Sequence, residues 1–163
     1  MFSKAAALLS CLAIAASGFS VRPSTNNAVH DARQQLAKPL RCWEPVEEGV
    51  NGSPATGGYT LSEPIYEMCS YMPYPMDYQQ FYVNGVRFQS ADDYANILAM
   101  FQTSHAGHSV LNVCIQEGLQ LYPAGYPSQV SMRCHCKRDG CNLPKPFTVF
   151  LDFNKQSMPE TLF

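Results

Sequence analysis

Nine residues near the end of the chain, Cys134-His135-Cys136-Lys137-Arg138-Asp139-Gly140-Cys141-Asn142, constrain its fold more than any other stretch. Cys136 and Cys141 are close enough in sequence to clamp a tight loop, and Asp139-Gly140 supplies turn chemistry between them. Cys134 and Cys136, two residues apart, face the same way on a strand. Cysteines so placed can form disulfides, or can hold a zinc ion together with His135 or a distant histidine. Structural zinc knuckles space their thiolates C-x₂₋₄-C rather than C-x-C. The cluster is therefore read as disulfides, with no metal and no cofactor.

The first residues bear on the same choice. Lys4 gives a short cationic start, Ala5–Ala16 is an apolar run broken by Ser10, and small residues Ser17, Gly18 and Ser20 follow. This pattern predicts a secretory signal peptide over residues 1–20. The run is too short to span a membrane as a helix, which takes about 20 apolar residues. Its removal would take Cys11 and leave Cys42, Cys69, Cys114, Cys134, Cys136 and Cys141 in an oxidising compartment, where an even set reads as a disulfide framework. Six cysteines allow fifteen pairings, and spacing alone does not choose among them. Charged Asp152, Lys155 and Glu160 interrupt the other end, so no lipid-anchor signal is expected there. The mature chain is expected to be soluble, extracellular, monomeric and without a membrane anchor.

Hydrophobic residues at 46% and charged residues at 15% argue against intrinsic disorder. A net charge of −2 offers no footprint for nucleic acid. Residues 21–39 are polar, lack aromatic side chains and read as a flexible leader; the domain is expected over 40–153, with a tail from 154 to 163. Glu47–Gly58 reads as a loop and contains the glycosylation sequon Asn51-Gly52-Ser53, weakened by Pro54. Strands are expected at Ile65–Tyr71, Val110–Ile115, Val130–Cys136 and Phe147–Phe153. Asn84-Gly85, flanked by β-favouring residues, predicts a type I′ hairpin turn. Ser90-Ala-Asp-Asp93 resembles a capping box, and Tyr94, Ile97, Leu98 and Phe101 then fall on one helical face. The fold class is mainly β, small and disulfide-rich, with one short helix near 91–103.

The run Cys134–Asn142 resembles the C-terminal signature of the Ly6/uPAR, or three-finger, family in the form C-x-C-x-x-D-x-C-N common among invertebrate members, and the layout is similar to secreted nematode members. The resemblance implies β-hairpin fingers leaving a disulfide-bonded palm. It further implies the pairs Cys42–Cys69, Cys114–Cys134 and Cys136–Cys141, with Asn142 hydrogen-bonding within the palm. Six cysteines instead of the usual eight or more imply that one palm disulfide is absent.

Nothing in the sequence nominates a catalytic constellation: no G-x-S-x-G, H-E-x-x-H or phosphate-binding glycine loop occurs. His105 and His108 form H-x-x-H with no evident third ligand, and Asp92-Asp93 suits a helix N-terminus. Arg133, Lys137 and Arg138 read as a basic patch, either a solvated face or a site for an acidic partner. Two Tyr/Pro segments are the candidate binding loops: Tyr71, Tyr74 and Tyr78 in one, Tyr122 and Tyr126 in the other. Tyrosine offers large rigid contact area, and proline lowers the entropy cost of ordering it; inward packing of the same rings is the competing expectation. The function expected is a non-enzymatic binding protein acting on an extracellular protein or receptor. The alternative is a secreted hydrolase, or an inhibitor of one.

Overall fold

The structure is a computed structural model that describes residues 28–47, 56–87, 93–103, 105, 107–120, 122–123 and 125–158. The expected signal peptide, Asn51 and the capping-box residues 90–92 lie outside the described residues. Among the described residues, three antiparallel hairpins form the β structure. Strands β1 (Trp43–Glu47) and β2 (Thr56–Leu61) make a two-stranded sheet; β3 (Met68–Tyr74), β4 (Asp77–Val86), β5 (Asn112–Leu119) and β6 (Gln129–Cys136) make a second sheet in the order β4-β3-β6-β5. Helices α1 (Ala28–Gln35), α2 (Asp93–Gln102) and α3 (Phe147–Asn154) complete the described elements.

Because successive strand residues point to opposite faces, the four-stranded sheet divides its side chains between two cores. Cys69 and Tyr71 of β3, Val83 of β4, and Cys134 and Cys136 of β6 point to one face. There they pack with Leu40, Cys42, Cys141 and Phe150 of α3, and with Trp43 and Tyr59 of the first hairpin at the margin. Met68 of β3 and Val86 of β4 point to the other, where Ile97, Leu98 and Phe101 of α2 cover them. The helical face expected from 94/97/98/101 is the face that α2 buries. The class is thus mainly β and disulfide-rich, with helices on both sides of the larger sheet.

Several expectations are corrected. Asn84-Gly85 is not a turn: β4 runs straight through it, Ser70 pairs with Asn84 and Cys69 with Gly85. The reversal is at Pro75-Met76, between the paired residues Tyr74 and Asp77. A turn at 84–85 would leave β3 without this partner; the longer register buries Tyr71 and Val83 together. Gly85 is required for a different reason, since a Cβ there would lie 2.2 Å from the Tyr66 ring.

Phe147–Phe153 is a helix, not a strand. A short apolar run does not distinguish the two periods, and here Phe147, Phe150 and Leu151 form one helical face against the sheet, with Pro146 at the N-cap. Phe150 is fully buried, worth about 1.5–3 kcal/mol of transfer free energy.

The flexible leader is overturned over residues 28–39. Ala28 and Ala32, one turn apart, are buried in α1, and small side chains without aromatic rings are what allow its close approach. The Gln35 side chain accepts a hydrogen bond from the Asp139 N–H, and Asp31 accepts one from Met158 N–H at 2.9 Å. The domain therefore begins before residue 40. The expected loop 47–58 ends in strand β2 from Thr56, and the expectation of a single helix gives way to three among the described residues. Among the described residues no helix is long and apolar enough to cross a membrane.

Candidate functional site

The bases of the hairpins are tied together at one end of the molecule. Cys42–Cys69, Cys114–Cys134 and Cys136–Cys141 are bonded, with Cα–Cα separations of 5.4, 4.0 and 6.1 Å. Cys42, Cys69, Cys134, Cys136 and Cys141 are fully buried. Asn142 completes this end: its amide nitrogen reaches the carbonyls of Trp43, Ser70 and Asn84, one from each of β1, β3 and β4, at 2.9–3.2 Å.

The three cations expected to form a basic patch do not form one. Arg138 is fully buried and donates to the carbonyls of Gln156 at 2.7 Å and Asn154 at 3.0 Å, so it anchors the segment after α3. Lys137 is buried as well and donates to the Glu67 carbonyl at 2.9 Å. Burial lowers the pKa of both. Arg133 holds Glu117 across β5–β6 in a bidentate pair, both bonds 2.7 Å. That bond lowers the Glu117 pKa and raises that of Arg133. Lys137 and Arg138 follow the end of β6, where the Glu67 carbonyl and the return of the chain after α3 supply their acceptors and bury both.

His135 points to the α2 side of the sheet, fully buried, its ring edge-on to Tyr94 with centroids 5.5 Å apart. Burial pushes its pKa down to about 4, with a smaller contribution from Arg133. His105 and His108 exchange two backbone hydrogen bonds, and their rings stack at 4.8 Å. No group of three or more potential metal ligands occurs among the described residues.

The Tyr/Pro segments occupy the opposite ends of the second and third hairpins, but their rings do not act alike. Tyr71 is core: fully buried, stacked on Phe150 at 4.2 Å, with its hydroxyl donating to the Lys145 carbonyl at 2.8 Å. It is removed from the candidate binding residues because odd positions of β3 face the disulfides. Tyr74, Tyr78, Tyr122 and Tyr126 are exposed, Tyr126 at 64%. Met76, at the β3–β4 turn, is 96% exposed. Tyr78 leans on Phe147 at 5.6 Å, and Tyr122 and Tyr126 lie 6.0 Å apart.

Between these ends the sheet opens. β3 and β6 pair only over Cys69–Tyr71 and Cys134–Cys136, although β3 continues to Tyr74 and β6 begins at Gln129. The strands diverge around a groove of about 590 Å³, lined from β3 and its turn by Met72, Tyr74 and Pro75 and from the third hairpin by Leu119, Met132 and Arg133. Tyr82 and the Arg133–Glu117 pair also face it. Single-residue reasoning missed this groove. Its trace in the sequence is charge depletion: residues 118–132 carry no charge, and residues 68–86 carry only Asp77.

A protein-family model described as a family of unknown function, DUF5354, matches residues 27–155, a span that includes all three helices and all six bonded cysteines. Uncharacterized protein C02B8.3 of Caenorhabditis elegans is 54% identical over 137 residues, 84% of this chain and 99% of the relative. Uncharacterized protein C02B8.7 of the same organism is 44% identical over 52 residues, 32% of this chain and 92% of its own length. No solved structure matches the chain significantly. With a model match across most of its length and a relative similar from end to end, the chain belongs to the DUF5354 family.

Proposed function

We propose that this protein is a secreted, non-enzymatic binding module whose disulfide-tied hairpins engage an extracellular protein or receptor. The observation that carries the reading is the grouping of exposed rings and Met76 at the hairpin ends, on either side of an apolar groove. Exposed aromatic side chains on a rigid support suit protein recognition, because little entropy is lost when they are covered. Three disulfides, five of whose six cysteines are fully buried, suit an oxidising compartment. The order of the hairpins, the three cysteine pairs and the closing Asn142 also support a Ly6/uPAR-like scaffold.

The test is expression of the full chain in cultured animal cells, followed by binding of the recovered protein to live cells. Soluble protein in the medium, no free thiols among the six paired cysteines, and saturable cell binding weakened about tenfold or more by Tyr74→Ala with Tyr126→Ala are expected. Retention inside the cell overturns secretion. Turnover of ester or peptide substrates, abolished by one His or Asp substitution that leaves the fold intact, favours the hydrolase alternative instead.

A further inference from the structure

We propose that the groove between the second and third hairpins receives an extended, uncharged segment of the partner protein, which adds as a strand to the edge of β6 at Gln129–Arg133. The inference rests on the protein-binding reading above and names how that partner is held. β6 is paired along its whole length with β5, from Leu119↔Gln129 to Asn112↔Cys136. On its other side it is paired with β3 only over Cys134–Cys136. Residues 129–133 therefore present alternate backbone N–H and C=O groups towards the groove with no strand opposite them among the described residues. Such an edge is a template for an incoming strand.

The facing edge of β3 is less suited to the role. Pro73 lies in it and has no N–H to give, the device by which natural edges resist pairing. A guest strand would therefore hydrogen-bond to β6 and lay its side chains against Met72, Tyr74 and Tyr82. Five residues of edge span roughly 17 Å, a usual strand length.

The charge pattern narrows the guest. The groove side of β6 up to Met132 and the β3 wall carry no charge, and the charged pair at the inner end, Arg133–Glu117, is already neutralised by two 2.7 Å bonds. A charged guest side chain would lose its hydration with nothing to compensate it. Alternating Val, Ile, Thr, Leu or Tyr would bury apolar area while its backbone is satisfied.

The experiment selects binders to the full-length oxidised chain from a displayed library of uncharged decapeptides. Selected peptides are expected to slow amide hydrogen exchange within residues 129–133 at least tenfold. They are expected to lose at least tenfold in affinity when alternate peptide amides are N-methylated, and again on Leu119→Glu, an exposed position that leaves both cores intact. A library that yields no binder overturns the proposal, as do binders indifferent to N-methylation in both registers or protection confined to other strands. Displacement of the neutral dye N-phenyl-1-naphthylamine by small apolar molecules, with no peptide selected, would make the groove a small-molecule site. Cell-surface binding that survives Leu119→Glu defeats the groove proposal alone, whereas absence of any cell-surface binding defeats the reading beneath it.

Discussion

Asn142 treats the backbone of Trp43 as a strand would: its Oδ1 accepts the Trp43 N–H at 2.9 Å and its Nδ2 donates to the Trp43 carbonyl at 2.9 Å. The same nitrogen reaches the carbonyls of Ser70 and Asn84 at 3.1 and 3.2 Å, so one buried amide joins the first hairpin to the second. Asn142→Asp keeps the shape but turns a carboxylate towards three carbonyl oxygens. Loss of the donors with an unpaired buried charge should cost about 3–5 kcal/mol. Urea denaturation of the oxidised variant measures it, and a loss below about 1 kcal/mol would show that the network is dispensable.

The disulfides should rank by loop length. Cys42–Cys69 spans 27 positions and Cys136–Cys141 spans 5, which the chain-entropy model converts to about 3.5 and about 2 kcal/mol. Cys42→Ala with Cys69→Ala should therefore lower the melting temperature more than Cys136→Ala with Cys141→Ala. Thermal unfolding without reductant checks the order, and the reverse ranking would mean that local clamping of the Cys136–Cys141 loop outweighs chain entropy.

Gly85→Ala tests the corrected hairpin. The added methyl would meet the Tyr66 ring at 2.2 Å, and that ring is held by a bond from its hydroxyl to Glu44. Overpacking of this kind costs about 1–3 kcal/mol. A turn at Asn84-Gly85 would instead make Asn84 as sensitive as Gly85, so Asn84→Ala in parallel separates the two registers.

What the sequence disclosed, and what it hid, follows from the range of each signal. The α2 face was legible because Tyr94, Ile97, Leu98 and Phe101 repeat over enough residues to define a period. The pairs among Cys42, Cys69, Cys114, Cys134, Cys136 and Cys141 came through resemblance, since spacing left fifteen choices. Phe147–Phe153 reads as a strand because so short an apolar-rich run fits either period, whereas the sheet surface that favours the helix Phe147–Asn154 is assembled from distant segments. Lys137 and Arg138 looked solvated because their acceptors, the carbonyls of Glu67, Asn154 and Gln156, are brought near only by the fold. Tyr71 and Tyr74 share one Tyr/Pro segment, yet strand parity and the ending of β3 send one inward and leave the other at the tip.

Acid should loosen the α2 side of the sheet. His135 is buried against Tyr94, with Ser70 and Val113 opposite it on the neighbouring strands and Arg133 and Glu117 nearby. Neither ring nitrogen has a hydrogen-bond partner among the described residues. Its pKa is depressed to about 4 from 6.5, so the unfolded chain binds the extra proton first. The stability it contributes is complete above pH 6.5, declines as pH falls through that window, and is exhausted below about 4, a loss on the order of 3 kcal/mol. In His135→Phe this segment of the stability–pH curve should be flat, and stability at pH 7 unchanged or higher, because no buried ring nitrogen is left unpaired. Denaturant midpoints at pH 4, 5, 6 and 7 for both proteins provide the comparison; an equal slope in the variant would assign the acid sensitivity elsewhere.

Tyr71 and Tyr74 should divide stability from recognition. Tyr71 stacks on Phe150 at 4.2 Å and on Phe81 at 5.7 Å, and its hydroxyl is bonded to the Lys145 carbonyl. Truncation to alanine removes a fully buried ring and should cost about 3–5 kcal/mol, in the range of Phe and Trp truncations. Tyr71→Phe removes only the hydroxyl and leaves the Lys145 carbonyl without that donor, for about 1–2 kcal/mol. Tyr74 is 38% exposed at the rim of the groove, so Tyr74→Ala should cost under about 1 kcal/mol of stability. Its effect should appear instead in affinity for whatever binds the hairpin ends, at about 1–3 kcal/mol. Melting temperature and cell-surface affinity measured on the same three variants check the division. A fall in melting temperature for Tyr74→Ala as large as that for Tyr71→Ala would make Tyr74 part of the core and remove it from the recognition surface.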